Sequence, residues 1–387
     1  PPRSTLFPYT TLFRSTAAAA ARLRAAGGAV DQADVMPNPE VSVEFENFKG
    51  SGPYRGYGNV ESTYSLSQTI ELGGKRGART DAARAARSTA GFDLATARLD
   101  LVRDVRQAFA EAVAAEATVA LAEEQLRLAG EVERSTQARL EAGREAPIQL
   151  GRAEIARRQA QLGLDQAKRR ASAARQVLAG LTGIMQADIR LEDGWFRRVD
   201  GAATGTVAEP TELLRRESEV RRRRAELEVE RSRAIPDVTV SGGFRRFREG
   251  SDNAFLVGVS VPIPLFDQNR GAITKARAEL VAAEADLAAE RIDQERRVNA
   301  AQANLAVARD TATALQEKII PTAEQGFAAA QEGYRQGKFS YLEMLEAQRT
   351  LFDTRRELID TLQGFHNARA ELERLTATAA EGGEVTP

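Results

Sequence analysis

Two periodicities alternate along the chain. Over about 38–47 and 60–72, apolar and polar residues change places at every position: Val41, Val43 and Phe45 against Ser42, Glu44 and Glu46, then Val60, Tyr64, Leu66, Ile70 and Leu72 against Glu61, Thr63, Ser65, Ser67, Thr69 and Glu71. A period of two predicts strands with one apolar and one wet face. The pattern returns over about 236–247 and 254–265, where Val238 and Val240 alternate with Thr239 and Ser241. There Phe255, Val257, Val259, Val261, Ile263 and Leu265 stand opposite Gly258 and Ser260. Each strand is about ten residues long, near the 9 to 11 that cross a bilayer on a tilt.

After each strand pair the pattern becomes helical, over about 78–142 and 272–336. Some 65 residues of helix reach roughly 100 Å, too long for a compact domain. Val298, Ala301, Leu305, Ala308, Ala312, Leu315 and Ile319 step by three and four as a heptad seam, with alanines that let helices approach closely. Pro321 is expected to kink or distort that helix. Each long helix ends at a glycine turn, Gly143 in LEAGREAPIQL and Gly337 in YRQGKFSYLEML. A second helix then returns, over about 147–181 with Ile148, Ile155 and Leu162 at heptad spacing, and over about 340–375 with Leu351, Leu358, Leu362 and Phe365. A further helix over about 211–234, with Thr211 as its N-cap, precedes the second strand pair. Its partial equivalent lies around Ala17–Gln32.

The chain is therefore a duplication. Gly77 and Gly271 are 194 positions apart (271 less 77), as are Gly143 and Gly337 (337 less 143). Such an offset, shared by separated landmarks, marks two copies of one module. The organisation predicted is a first repeat over 16–182, a linker over 183–210, a second repeat over 211–376 and a disordered tail over 377–387. The fold class is mainly α with a small β part. Trp195 and Phe196 of the linker are expected to pack on a helix surface.

The opening PPRSTLFPYTTLFRS stands outside this plan. Leu6, Phe7, Leu12 and Phe13 are split by Pro8, Thr10 and Thr11, so it lacks the apolar core of a secretory signal. Residues 1–15 look like a translated sequencing adapter, expected to overwrite the front of the first helix and to leave the native start, signal and lipidation unread.

Composition narrows the function. With 42% hydrophobic and 28% charged residues and a formal net charge of −1, the 387 residues suit long packed helices and give no field to draw nucleic acid. No cysteine is present, so thiolate catalysis and zinc-thiolate sites are excluded. The single histidine, His366, makes a histidine metal cluster impossible and is read as structural. No catalytic constellation emerges, no cofactor is implied, and Met36, Met185 and Met344 are too scattered for a thioether copper path. Arg221–Arg224 lie among Glu219, Glu226, Glu228 and Glu230, which makes them a solvated, salt-bridged helix face. GGKRG at 73–77 lacks the spacing of a phosphate loop and reads as a strand-to-helix turn.

No apolar run reaches the roughly 18 to 20 residues of a transmembrane helix. Membrane crossing, if it occurs, belongs to the strands. Four strands cannot close a barrel, since the smallest membrane barrels have about eight, and open edges are not tolerated in lipid. Three copies would supply twelve strands. The alternative is a soluble coiled-coil scaffold whose hairpins mediate assembly. The two differ on Tyr64, Leu66, Val257 and Val259, which face lipid in the first and are covered by protein in the second.

Two strands, a very long helix, a glycine turn and a returning helix, all duplicated, resemble the outer-membrane efflux channels of the TolC family. The stretches PNPEVSVEFENF, SLSQTIELGGKRGAR and VSVPIPLFDQNRGAI are similar to its heavy-metal efflux branch, which includes CzcC and CusC. The resemblance covers about 17–376. It implies a homotrimer, with a twelve-stranded β-barrel in the outer membrane of a Gram-negative bacterium and a long α-helical barrel in the periplasm. It also implies a periplasmic adaptor (membrane fusion) protein and an inner-membrane pump of the resistance-nodulation-division type. Heavy-metal cations are the cargo of that branch; nothing in the residues selects them over drugs or other solutes. Adaptor docking would fall at the matching turn positions Leu140, Gly143 and Ile148, and Tyr334, Gly337 and Leu342. The polar strand face Glu61, Thr63, Ser65, Ser67, Thr69 and Glu71 would line the lumen. Glu141 and Glu145 could form an acidic ring at a gate, against the plainer reading of solvated helix-end charges.

Overall fold

The computed structural model describes residues 11–185, 189–200 and 209–378, with side chains from residue 16 onward. Of the segments singled out above, residues 1–10, 186–188, 201–208 and 379–387 lie outside the described residues. The order of elements is α1 (Thr11–Ala33), β1 (Glu40–Glu46), β2 (Glu61–Ile70), α2 (Lys75–Glu141), α3 (Pro147–Thr182), α4 (Thr211–Arg233), β3 (Val238–Phe247), β4 (Asn253–Ser260), α5 (Arg270–Ala314), a π turn (Leu315–Ile319), α6 (Ile320–Arg335) and α7 (Tyr341–Thr376). Two strands, a long helical run and a returning helix occur twice in this order. α1 starts six residues ahead of Ala17, so the last residues of the adapter-like segment are helical.

Two expected element bounds need correction. The second repeat's last strand was expected to run to 265 but ends at Ser260, because Pro262 and Pro264 have no N–H to give a ladder. The helix expected over 272–336 is interrupted by the π turn. There Ile320 N–H reaches back five residues to the Leu315 carbonyl, so Pro321, one residue later, starts a fresh helical run as one of its first residues. The distortion expected of Pro321 takes this form.

The chain divides into two compact units. One, formed by 19–94 and 212–291, holds all four strands in a single antiparallel sheet of order β1-β2-β3-β4. Strand β2 pairs with β3 through Tyr64↔Phe244 and Ser67↔Ser241, so the middle of the sheet joins the two repeats. Gly243 lies opposite Ser65, where an added Cβ would stand 2.3 Å from the Tyr64 carbonyl oxygen; only glycine lets the two strands come so close. In the same unit α4 is tied by ion pairs to α2 (Arg215–Asp93, 3.7 Å) and to α5 (Arg216–Glu290, 3.4 Å; Arg291–Glu217, 2.8 Å). Arg222 and Arg223 both meet Glu219 and Glu226 as expected, whereas Glu228 and Glu230 pair with Arg231 and Arg233 instead, and Arg224 meets Glu284 of α5. Those contacts hold the Glu219 carboxyl below its ordinary range, the Arg222 hydrogen bond being the chief cause.

The second unit comprises, among the described residues, the start of α1 up to Ala18, the rest of α2, all of α3, the linker residues 183–185 and 189–200, residues 209–211, and the chain from Ile292 to Thr378. Here α3 corrects the sequence reading. Ile148, Ile155 and Leu162 are exposed, and the buried seam is instead Ala153, Ala160, Ala167 and Ala174, with Leu164, Ala171 and Leu178, both at heptad spacing. Ala174 and Leu178 pack on Ala108 and Ala112 of α2, and Leu164 and Ala167 on Ala122. Alanine at both sides of the contact brings the backbones together. The second-half heptad holds up to the π turn: Ala301, Leu305, Ala312 and Leu315 are buried, and Val298 and Ala308 pack against Phe365, Leu372 and Leu375 of α7, but Ile319, the last expected member, is exposed because the π turn shifts it off the seam.

Phe196 sits in a core of Val113, Ala114, Ala312 and Leu362, with Trp195 packed against it, so the linker is pinned on helix surfaces as expected. His366 holds it there: its Nε2 donates to the Phe196 carbonyl at 2.8 Å, and its ring meets Trp195 edge-on at 4.3 Å. Burial lowers the pKa of His366, the Phe196 hydrogen bond opposes the change, and nearby Arg369 adds to it. The unfolded chain therefore binds a proton that the folded chain refuses. This contribution to stability is complete above the ordinary histidine value of about 6.5 and is lost as pH falls through it. Unfolding monitored between pH 7.5 and pH 5 is expected to show a larger loss of stability for the natural chain than for His366→Gln; equal losses would remove His366 from the account. Gly243→Ala is expected to cost about 1–3 kcal/mol by forcing β2 and β3 apart, measured by denaturant unfolding in detergent.

Candidate functional site: a two-faced sheet and two glycine turns

The sheet's alternation sorts its side chains to two faces. On one, Val41, Val43, Tyr64, Leu66, Phe244, Phe255, Val257 and Val259 form a continuous apolar surface across all four strands, Tyr64 stacking on Phe244 at 5.1 Å. Among the described residues nothing covers it: Phe255 is 92% and Val257 86% exposed. A bare apolar surface of this breadth must meet lipid or another protein. The residues expected to face lipid, Tyr64, Leu66, Val257 and Val259, lie together on it.

The opposite face is polar and cross-linked. Arg245 of β3 donates from Nε to Thr63 Oγ1 at 2.9 Å and from Nη1 to Glu61 Oε2 at 2.9 Å, and pairs with Glu46 at 3.0 Å, so one guanidinium spans three strands. Ser42 and Ser65 hydroxyls meet at 2.7 Å, and Thr69 and Thr239 at 3.2 Å. Glu61, Thr63, Ser65, Ser67 and Thr69 share this face as expected. Glu71 does not: it falls one residue past β2, and Arg79 of α2 takes its carboxylate, Nη2 lying 3.1 Å from Oε2. Arg245 was not singled out from the sequence, although its odd position in β3 puts it on the polar face beside two glutamates.

In the other unit, the two glycine turns have one hydrogen-bond pattern. Ala142 N–H reaches the Ala138 carbonyl, Gly143 that of Leu140, and Arg144 that of Arg139; Gln336, Gly337 and Lys338 reach Glu332, Tyr334 and Gly333 in the same way. The glycines are at φ 69° and 74°. A left-handed glycine with these bonds is the turn that satisfies a helix's last carbonyls. The helix starts beyond the two turns differ. Pro147 opens α3, whereas Ser340 caps α7, accepting from the Glu343 N–H at 3.3 Å while Glu343 Oε2 accepts the Ser340 N–H at 2.7 Å.

The six expected docking positions separate here. Gly143, Ile148, Gly337 and Leu342 are exposed, the side chains of Ile148 and Leu342 by 64% and 62%. Leu140 is half-buried. Tyr334 is buried against Val132, Ala153, Tyr341 and Met344, so its side chain is a core group and not a docking surface. The acidic pair also changes character. Glu145 accepts the Tyr334 hydroxyl at 3.3 Å and pairs with Arg139 Nε at 3.5 Å, while Arg139 Nη1 donates to the Tyr334 carbonyl at 2.8 Å and its guanidinium lies 4.6 Å from the ring centre. Glu145 is a neutralised member of a lock between α2 and α6. Glu141 is exposed and accepts from Gln137 at 2.7 Å. Burial raises the pKa of the Tyr334 phenol, so it remains a neutral donor at physiological pH.

Among the described residues no helix is long and apolar enough to cross a membrane, and no three His, Asp or Glu side chains gather into a group that could hold a metal ion. Tyr334→Phe removes the donor to Glu145 and leaves the ring under Arg139. It is expected to loosen the turn by about 1 kcal/mol, read as several-fold faster amide hydrogen exchange over 139–148 with the sheet unaffected. Unchanged exchange there would show that the lock is idle.

Comparison with known proteins agrees with this geometry. The family model for outer membrane efflux proteins matches the chain twice, at 14–184 and 208–378, repeating the internal offset. The cobalt-zinc-cadmium resistance protein CzcC of Cupriavidus metallidurans is 34% identical over 370 residues, 92% of this chain and 85% of that protein. The nickel-cobalt-cadmium resistance protein NccC of Alcaligenes xylosoxydans is 32% identical over 74% of this chain and 67% of its own length. Among solved structures, the outer membrane protein VceC of Vibrio cholerae has a TM-score of 0.79 at 19% identity, covering 94% of this chain and 95% of that one. The channel CusC has a TM-score of 0.78 at 18% identity, covering 94% and 89%. At these identities the two structures speak for the fold.

Proposed function

The chain belongs to the outer membrane efflux protein family, and from that membership we propose that it is the outer-membrane duct of a three-part efflux machine, a passive conduit and not an enzyme. Three copies place their sheets edge to edge as a twelve-stranded barrel, with Tyr64, Leu66, Val257 and Val259 toward lipid and Glu61, Thr63, Ser65, Ser67 and Thr69 toward a water-filled lumen. The observation that carries this is the sheet itself: one apolar face, one polar face and two unpaired edges in a single four-stranded unit. A barrel is the arrangement that satisfies all three, because lipid accepts the apolar face and tolerates no open edge.

The glycine turns, with Ile148 and Leu342 exposed at equivalent places, are the surfaces offered to a periplasmic adaptor, and through it to an inner-membrane pump of the resistance-nodulation-division type. Relatives named for resistance to cobalt, zinc, cadmium and nickel favour divalent heavy-metal cations as cargo. The polar face suits a hydrated cation in transit: Glu61 and Glu46 are engaged by Arg245 and Asn47, while Glu40 and Glu44 on the same face are exposed, so it carries net negative charge toward a passing cation. Opening comes from sliding of the packed helix hairpins at the turns, a shear motion.

The test is the native mass of the protein extracted from outer membranes in detergent, followed by metal tolerance of a host supplied with a matching adaptor and pump. A trimer confined to the membrane fraction, with tolerance to cobalt, zinc or cadmium raised several-fold, is the expected result. A soluble monomer or dimer would defeat the channel, and a trimer that exports only organic solutes would defeat the metal assignment.

A further inference from the structure

The sheet's hydrogen bonds identify which backbone groups it leaves over. Phe247 N–H donates to the Asp252 carbonyl at 2.9 Å and Arg248 N–H to the Val60 carbonyl at 3.2 Å. Hydrogen bonding in an antiparallel ladder alternates residue by residue. On β3, then, odd-numbered residues bond to β4 and even-numbered ones to β2. Carried through the register, the even-numbered residues of β1 and β4 are spent inside the sheet. The odd-numbered ones point outward: Val41, Val43 and Phe45 on one edge, and Phe255, Val257 and Val259 on the other.

Prolines fall unequally on these edges. Pro262 and Pro264 are even-numbered, so the donors they lack are missing from the ladder with β3, and the odd-numbered Val261 and Ile263 keep theirs. On β1 the next outward positions below Val41 are Pro39 and Pro37, which have no N–H. A level line through the pairs runs Ser260, Thr239, Thr69 and, by extension of the β1–β2 register, Asn38. If the β1 of a second copy met β4 at that level, Val259 would face Pro39 and Val261 would face Pro37, leaving two carbonyls without donors. Sliding the other way sets β4 against still earlier residues and is worse. Sliding β4 toward the far end of β1 brings Val41, Val43 and Phe45 opposite its outward groups.

Geometry sets the amount. Twelve strands about 4.8 Å apart, rising about 3.4 Å per residue and tilted about 35–45°, close with a total stagger of roughly 12 to 17 residues. Three-fold symmetry assigns a third of that to each seam, and the odd-to-odd pairing requires an even number, hence about four or six.

We propose that the seam between copies is a proline-set, staggered strand pair, in which Val261 of one copy, lying outside its own β3–β4 ladder, hydrogen-bonds to Val41 or Val43 of the next. This rests on the barrel reading above and adds its register. Pro262 and Pro264 release the end of β4 from β3 so that it can serve a neighbour; Pro37 and Pro39 fix where that neighbour's edge begins.

Because the chain has no cysteine, the register can be read by disulfide trapping without a background. The seam's even-numbered pairs are the non-hydrogen-bonded ones, with Cα atoms about 4.5 Å apart, a separation a disulfide accepts. Ser260→Cys is combined in turn with Ser42→Cys, Glu44→Cys and Asn38→Cys, and outer membranes are mildly oxidised and run on a non-reducing gel beside a native-mass measurement. The expected result is intersubunit disulfides with Ser42→Cys or Glu44→Cys and none with Asn38→Cys. Linkage through Asn38→Cys, or through none of the three, in a protein that still has the mass of a trimer would overturn the seam and leave the channel standing. A protein with the mass of one copy would overturn both. Val261→Pro, which removes an outward donor and leaves the β3–β4 ladder intact, is expected to lower the fraction of oligomer resistant to mild heating several-fold; an unchanged fraction would overturn the Val261 bond.

Discussion

Every N–H and C=O of a strand needs a partner, and among the described residues the sheet satisfies those groups on one side of β1 and one side of β4 only. That shortfall organises the rest. An isolated edge in water attracts the wrong strand, and in lipid it has no partner at all. The apolar face makes the demand sharper, because the environment that covers Phe255 and Val257 cheaply is the same environment that cannot solvate an edge. A sheet built this way is one part of a closed structure.

The helices answer a different constraint with the same economy. Alanine buries little area, so a seam of Ala153, Ala160, Ala167 and Ala174 gains less from the hydrophobic effect than one of leucines. What it gains is proximity to Ala108, Ala112 and Ala122 of α2, and hence dispersion along two long backbones. Ion pairs such as Arg175–Glu116 at 2.7 Å and Arg157–Glu133 at 2.5 Å run beside that seam. Singly they contribute little, but they hold the helices in register where the seam's own side chains are too small to interlock.

The strands, the duplication and the turns were legible because each depends on local rules: alternation by two, prolines that cannot donate, glycine at a left-handed turn. The misread positions depend on partners distant in sequence. Ile148, Ile155 and Leu162 have the spacing of a buried stripe, yet the stripe next to them is chosen because α2 offers alanines to it. Tyr334 sits at an obvious turn, and only the fold shows that Val132 and Ala153 enclose it. Glu145 looks like a free acid until Arg139, on the preceding helix, and Tyr334, in the other repeat, are brought against it. The π turn was visible as Pro321 but not in kind, since a helix can meet a proline by kinking or by inserting a residue.

The two repeats also show how a duplicated module stops being symmetric. Their turns keep identical backbone bonds 194 positions apart, which fixes the two helix ends alike. Beyond them the sequences part. The positions of Ile148, Ile155 and Leu162 on α3 are occupied on α7 by Leu342, Arg349 and Arg356. The first outer stripe is thus apolar for two further heptads, whereas the second becomes cationic after one residue. In the threefold assembly proposed above, such stripes recur as three apolar and three basic surfaces below a common ring of exposed Ile148 and Leu342. A partner that recognised only the shared ring would find six equivalent places; one that reached a heptad further would find two kinds. In such an assembly the shared backbone turn would give a six-fold pattern, and the side chains beyond it would reduce that pattern to three.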